Sequence, residues 1–330
     1  MERRTKALLT LLFLSPVLGE LVSGSSPPLE FFGPNLLGLL ALYGCGALLI
    51  RDAVVRWDKG WATLLLLGAA YGVYEEGLVV KSWFDPNWVD LGPMGPYGRE
   101  GGTNWMWALS LTIYHSVVSI ALPIFLTDVL FPDLKGKRLL TDRATRWALF
   151  FFGLTLPVYA LALPYWGGPE HLIGVISALA FFEMARRGPR DFLTPRASVP
   201  PRRARPFAVF GFLWMTFNFV FPSVAQASGL HFGLCTAVTA FAAAACLLTL
   251  RGALHPANAE RCLFAFLAGA YGFIIVFGFT YGFFNPAAAL GMVAVSPAAA
   301  VWFVWVYREN LPRWRATARE PAVPPRVTAS

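Results

Sequence analysis

Charged residues are scarce in this chain, at 14% of its 330 residues, whereas soluble domains carry about 25%. Only four cysteines are present, without a CxxC pair or a zinc-ligand spacing, so we interpret them as small buried hydrophobic residues. A P-loop, a dinucleotide-binding fingerprint, an HExxH motif and a GxSxG elbow are absent too. These absences argue against a soluble enzyme with one of these motifs, and no cofactor is predicted.

Long apolar runs take up most of the chain instead, with 56% hydrophobic residues and a mean hydropathy of +0.55. A helix needs about 20 apolar residues to cross the hydrocarbon core of a membrane. Ten segments reach or approach this length: 7–24, 35–50, 61–80, 105–126, 147–166, 170–185, 207–227, 230–250, 262–283 and 287–307. We therefore predict an all-α fold, a polytopic transmembrane helix bundle of about ten spans. It would form one membrane domain over residues 1–307, followed by a basic, disordered cytoplasmic tail at 308–330.

The basic residues predict the orientation of this bundle. All but two of the 27 lysines and arginines lie in the termini or in the loops predicted on the same side of the membrane as the N-terminus. The two exceptions are Lys81 and Arg99. By the positive-inside rule, these loops and both termini are cytoplasmic, and we place the protein in the cytoplasmic membrane of a prokaryote. The net charge of +8 is thus interpreted as a topology signal. The expected partner is a bilayer with anionic headgroups, and no nucleic acid is expected.

An internal similarity suggests a duplication. The segment 67–86 aligns without gaps on the segment 267–286, and the two share Ala-Tyr-Gly, a phenylalanine and a proline at equivalent positions. Both segments run from inside to outside, so the similarity predicts a parallel repeat in which spans 1–4 correspond to spans 7–10.

Two adjacent glutamates, Glu75 and Glu76, interrupt the third apolar run. A carboxylate at the centre of a bilayer costs roughly 3 kcal/mol on insertion scales, so both carboxyls need compensating partners. His115 lies near the middle of the fourth run. We predict these three residues as a proton relay or as general bases, since ionisable groups within a membrane are functional candidates. The alternative is structural, with the carboxyls satisfied by hydrogen bonds to neighbouring tyrosines or to His115.

Polar residues near these three predict a pocket. The polar residues of the fourth apolar run recur at helical spacing, and in a membrane they must face other helices or water. Adjacent positions on an α-helix are about 100° apart, so the two glutamates are expected to point in different directions. The predicted substrate-binding residues are Glu20, Tyr71, Thr112, Ser116, Ser119, Trp83 and Asp85. The last two belong to the long loop 81–105, which we interpret either as an aromatic belt or as a lid.

A glutamate doublet followed by a span with histidine is similar to the CPBP intramembrane proteases, relatives of the CAAX prenyl endopeptidases. Their pattern is EExxxR, then FxxxH, then HxxxN. Glu75 and Glu76 match the doublet, but Val80 stands at the arginine position with Lys81 one residue later. Leu111 stands where the phenylalanine would precede His115, and no later histidine has an asparagine four residues on. The partial similarity implies a glutamate/histidine hydrolase as one alternative.

Three functions remain open from the sequence. We favour a transporter of a small solute or ion, coupled to protons through Glu75, Glu76 and His115. An intramembrane enzyme, hydrolase or transferase, would use the same residues as general bases or as ligands of a divalent metal. An assembly subunit without chemistry would need them only for stability.

Overall fold

The computed structural model describes residues 2–189, 192–286, 289 and 291–318, and its regular structure is almost entirely helical. The α-helices of this part of the chain are α1 Arg3–Pro16, α2 Pro28–Phe31, α3 Asn35–Leu39, α4 Cys45–Arg56, α5 Trp61–Gly72, α6 Trp105–Tyr114, α7 Leu122–Leu130, α8 Asp142–Ala162, α9 His171–Arg187, α10 Arg205–Ala227, α11 Phe232–Ala253, α12 Ala259–Phe284 and α13 Met292–Thr317. Two-residue strands, β1 Arg99–Glu100 and β2 Thr103–Asn104, pair antiparallel in the loop before α6. The all-α prediction is confirmed.

Among the described residues, four π-helical segments lie in the N-terminal half: π1 Val17–Leu21, π2 Leu40–Gly44, π3 Val73–Val79 and π4 His115–Ala121. Each continues directly from an α-helix, so α1–π1, α3–π2–α4, α5–π3 and α6–π4–α7 are four continuous helical rods. A π-helical turn uses i→i+5 hydrogen bonds and occurs frequently at functional sites.

Within the described residues, these four rods and helices α8 to α13 lie close to the ten predicted spans. Six are long and apolar enough to cross a membrane: Asn35–Arg56, Trp105–Leu130, Asp142–Ala162, Arg205–Ala227, Phe232–Ala253 and Ala259–Phe284. The remaining four are short or contain more charge. The count of about ten spans therefore stays a prediction. The parallel repeat is not confirmed either, since α12 is α-helical throughout whereas its counterpart contains π3.

The rod α6–π4–α7 is the most buried of the six candidate spans and packs against α5. Buried side chains of the first three rods meet it on one side, and those of α10, α12 and α13 meet it on the other. Helices α8, α9 and α11 expose large apolar side chains, for example Leu161, Ile176 and Phe241. Such apolar surface is suited to lipid.

The loops sort to the two ends of the bundle. At one end Arg3 pairs with Asp133 at 2.8 Å and Lys135 pairs with Glu260 at 3.0 Å, so several basic segments meet there. At the opposite end the loop between π3 and α6 contacts the loops that follow α8 and α10. This separation agrees with the charge pattern, and the side of the membrane that each end faces stays a prediction.

Helix α13 runs past the predicted end of the membrane domain at residue 307. It continues because Trp314 is buried and donates a hydrogen bond of 2.7 Å to Glu260, which also pairs with Arg313. The predicted disordered tail is therefore helical from 308 to 317, and residues 319–330 lie outside the described residues. The four cysteines are free and buried, as predicted.

Candidate functional site

The three residues predicted as reactive, called the trio below, meet inside the bundle. Nε2 of His115 lies 2.9 Å from Oε1 of Glu76, and Nδ1 lies 3.0 Å from Oε2 of Glu75. Their relative exposures are 2%, 9% and 3% for His115, Glu76 and Glu75. One ligand atom from each residue lies within 4.8 Å of the others. An imidazole between two carboxylates is suited to proton transfer and to metal binding.

The expectation that the adjacent glutamates point in different directions is wrong, and π3 gives the reason. Its i→i+5 hydrogen bonds place more residues in each turn, so the angular step between neighbours is smaller than in an α-helix. Glu75 and Glu76 therefore both reach the His115 ring, one at each nitrogen.

Ser119 orients the histidine within π4. Its Oγ lies 3.0 Å from Nδ1 of His115, and its carbonyl accepts a hydrogen bond of 2.6 Å from Ser15. Helix α5 approaches π4 closely at two glycines: a Cβ at Gly72 would lie 3.0 Å from Cβ of His115, and one at Gly68 would lie 2.9 Å from backbone atoms of π4. Small residues at this interface allow the glutamates and the histidine to touch.

The far side of Glu76 is held by the loop that follows π3. Ser82 donates to Oε2 of Glu76, and Trp107 donates to Oγ of Ser82 at 3.0 Å. Between Glu76 and Ser82 the chain reverses direction at Lys81, whose φ of 64° is in the left-handed region. That conformation costs a non-glycine residue of order 1–3 kcal/mol and recurs at functional sites. In this protein the left-handed conformation of Lys81 lies just before Ser82, at the point where the chain turns back towards Glu76.

Glu75 is less well satisfied. Its buried Oε2 has no hydrogen bond of acceptable geometry among the described residues, although it lies 3.0 Å from Nδ1 of His115. The buried hydroxyl of Tyr71 lies within hydrogen-bonding reach of this carboxyl, but among the described residues it has no hydrogen bond of acceptable geometry. Tyr43 stands between Glu75 and Glu20 and donates its proton to Glu20. Because a phenol has one proton to donate, Tyr43 cannot satisfy both carboxyls.

The predicted substrate-binding residues of the helices divide into two groups. Glu20, Tyr71 and Ser119 belong to the network around the trio. Ser116 donates to a backbone carbonyl of α5 at 2.7 Å, and Thr112 packs against the same helix. These last two residues fix one helix against the other.

Of the predicted loop residues, Trp83 reaches the trio through its backbone, whose N–H donates to the carbonyl of Glu76 at 3.5 Å. Trp83 is buried, and its ring lies against Gly77 of π3. Asp85 accepts a hydrogen bond of 2.8 Å from the backbone of Asn87 and so closes a turn. Burial lowers the pKa of Lys81, whose Nζ donates to the carbonyl of Tyr165 at 2.6 Å. The ordered loop covers the end of the bundle nearest to the trio.

The sequence did not identify Tyr43, Ser82 and Trp107 as site residues. Tyr43 lies in π2, in a run that otherwise looks featureless. The glycines after it, Gly44 and Gly46, were a usable signal, because each packs tightly against another rod. Ser82 and Trp107 reach the site only through the reversal at Lys81, which no local pattern indicates.

A cavity of about 410 Å³ lies towards the end with the basic loops. Its charged lining groups include two ion pairs, Arg51 with Asp128 at 2.8 Å and Lys135 with Glu260 at 3.0 Å. The walls between them are mostly apolar. None of the trio lines this cavity.

Comparison with known proteins gives a family and one curated relative. An uncharacterized protein of Archaeoglobus fulgidus is 28% identical over 130 residues, which are 38% of this chain and 39% of that relative. The chain thus matches about two fifths of the relative's length. No solved structure matches the chain. Residues 9–328 match the family model described as an uncharacterized membrane protein family, and the chain belongs to that family.

Proposed function

We propose that this protein is an intramembrane hydrolase that acts on a lipid-soluble substrate at Glu75, Glu76 and His115. The observation that carries the proposal is the position of His115, whose two ring nitrogens lie 3.0 and 2.9 Å from the two carboxyls. These separations lie within the distance over which a general base takes up a proton, about 2.6–3.2 Å. The lipid-facing helices around the site favour an apolar substrate.

The roles follow from the hydrogen bonds. Glu76, oriented by Ser82, takes a proton from water as the water oxygen bonds to a carbonyl carbon of the substrate. His115 carries that proton to the leaving group as the scissile bond breaks. Glu75 and Ser119 hold the ring in place. The partial similarity to the CPBP proteases, which rests on the doublet and on His115, points to the same reaction class.

The test is hydrolysis of a panel of lipid esters and hydrophobic peptides by purified protein in liposomes. We expect the Glu76→Gln variant to lose roughly 10²–10⁴-fold in rate, the range for removing a general base. Glu183→Gln is the matched control, because Glu183 pairs with Arg187 on the exposed surface of α9. Equal rates for Glu76→Gln and the control would contradict the proposal.

Proton-coupled transport, the function favoured by the sequence, is the second candidate, and two observations support it. The polar network continues from Glu75 through Tyr43 to Glu20, and the 410 Å³ cavity lies along the same rod. From Leu64 at the cavity to Glu75 is about 16 Å of helix at 1.5 Å per residue. A transporter predicts proton uptake into proteoliposomes under an imposed potential that is lost in Glu76→Gln. A hydrolase predicts equal uptake in both.

A further inference from the structure

The buried charge of the trio needs to be balanced. Glu75 and Glu76 lie in an apolar bundle, and neither pairs with a lysine or arginine among the residues that the structure describes. His115 contributes at most one positive charge, so two ionised carboxylates leave the buried group negative. A buried net charge is expensive. Neutrality with both carboxylates ionised and a neutral imidazole requires a divalent cation, whereas neutrality without one requires two protons.

Hydrogen bonding distinguishes a trio that binds a divalent cation from a trio that carries two protons. A protonated carboxyl is a hydrogen-bond donor and is expected to find an acceptor when buried. Among the described residues, neither Oε2 of Glu75 nor the hydroxyl of Tyr71 has a hydrogen bond of acceptable geometry, and the two groups lie within hydrogen-bonding reach of each other. Tyr71 is 3% exposed, so water does not readily satisfy this hydroxyl. These two buried oxygen atoms therefore have no well-formed hydrogen bond among the described residues.

The groups around the trio are arranged as they are around metal ligands. Metal-binding histidines are usually oriented by a hydrogen bond at the other ring nitrogen, and metal-binding carboxylates are hydrogen-bonded in turn. Nδ1 of His115 lies 3.0 Å from both Oγ of Ser119 and Oε2 of Glu75, and Nε2 lies 2.9 Å from Oε1 of Glu76. The second oxygen of Glu76 is held by Ser82, which is held by Trp107.

We propose that Glu75, Glu76 and His115 bind one divalent transition-metal ion. One imidazole nitrogen and two carboxylate oxygens form a donor set that suits Zn²⁺, and it also suits Fe²⁺ and Mn²⁺. Three protein ligands leave a position for water, as in catalytic zinc sites. This inference deepens the proposed hydrolase and changes two roles in it: with the ion bound, Glu76 and His115 would serve as ligands, and the ion would make the attacking water more acidic in place of Glu76 as the base.

The test is metal content by mass spectrometry of the full chain, purified through a tag without histidine. We expect about one metal ion per wild-type chain, as for a site with one set of ligands. Glu75→Gln and His115→Gln should lose it, while Glu183→Gln should retain it. Ser119→Ala should weaken the affinity by roughly 10–100-fold, the cost of losing an orienting group.

Titration with Zn²⁺ or Mn²⁺ after chelator treatment provides a second readout. The wild type and the Glu183→Gln control should gain thermal stability on metal addition, whereas folded, monodisperse Glu75→Gln should not. An absence of bound metal and of metal-dependent stabilisation in the wild type would overturn the proposal, as would equal binding by Glu75→Gln. If metal is absent but hydrolysis still requires Glu76, the proposed function stands without the ion. If metal binds and no hydrolysis is found, the site stands and the hydrolase falls.

Discussion

At the scale of single residues, the glycines of α5 set the geometry of the trio as much as the ionisable residues do. Gly68 and Gly72 let α5 lie against π4 at backbone contact distance. Only at that distance can Glu75 and Glu76 reach the ring of His115. The same residues explain why three ionisable groups are tolerated in an apolar bundle, since each lies within 3.0 Å of another.

Gly68→Ala should destabilise the protein. The added Cβ would lie 2.9 Å from both Cα and the carbonyl oxygen of Ser116, so backbone must move. Overpacking of this kind costs about 1–3 kcal/mol. The measurement is the thermal unfolding midpoint in detergent. Gly153→Ala, at an exposed position of α8 with open space around its Cβ, is the control and should keep or slightly raise the wild-type midpoint. Equal midpoints for the two variants would show that the contact is softer than the structure implies.

At the scale of helical elements, the four π segments are the distinctive feature. Glu20 lies in π1, Tyr43 in π2, the glutamate doublet in π3, and His115 with Ser119 in π4. A π turn accommodates extra residues in an α-helix and re-aims the side chains of that turn. Four such turns converge on one network, which indicates that the local distortions serve the site.

Deletion of Val117 from π4 should convert the segment towards α-helix. The flanking helices α6 and α7 would keep their faces, because a π bulge holds about one residue more than an α-helical turn. His115 and Ser119 would then no longer be four residues apart. We expect wild-type helix content by circular dichroism, together with loss of the metal stabilisation described above. Val117→Ala keeps the residue count and should retain that stabilisation; its loss in both variants would assign the effect to packing.

At the scale of the whole molecule, the two ends of the bundle differ in charge. The end where Arg3, Asp133, Lys135 and Glu260 meet collects the basic loops. The other end is formed largely by the ordered loop that carries Lys81 and Arg99, and Arg99 donates to the carbonyls of Phe84 and Gly102. The trio lies towards this second end, through the contact of Glu76 with Ser82.

Cysteine labelling should reveal the orientation of the bundle. The four native cysteines are buried, so background labelling by an impermeant maleimide should be low. Glu100→Cys, at the end with the ordered loop, should be labelled in intact cells. Asp133→Cys, half exposed at the basic end, should be labelled only after the membrane is opened. The reverse pattern would contradict the positive-inside assignment.

The sequence by itself determined the membrane class, the positions of the helices and the identity of the trio. Apolar run length is a local property, so the observed helices lie close to the predicted segments. Carboxyls in an apolar run are costly wherever the chain folds, so Glu75, Glu76 and His115 were identifiable before their contacts were known.

Only the tertiary structure decided how these residues meet. The sequence pattern assumed α-helical steps, which would turn the two glutamates apart, whereas π3 brings both to one ring. Tyr43, Ser82 and Trp107 joined the network, and Thr112, Ser116 and Asp85 did not, because these outcomes depend on which rods touch and on the reversal at Lys81. A shift from i→i+4 to i→i+5 hydrogen bonds depends on packing between rods. The sequence of one segment does not specify which other segments pack against it.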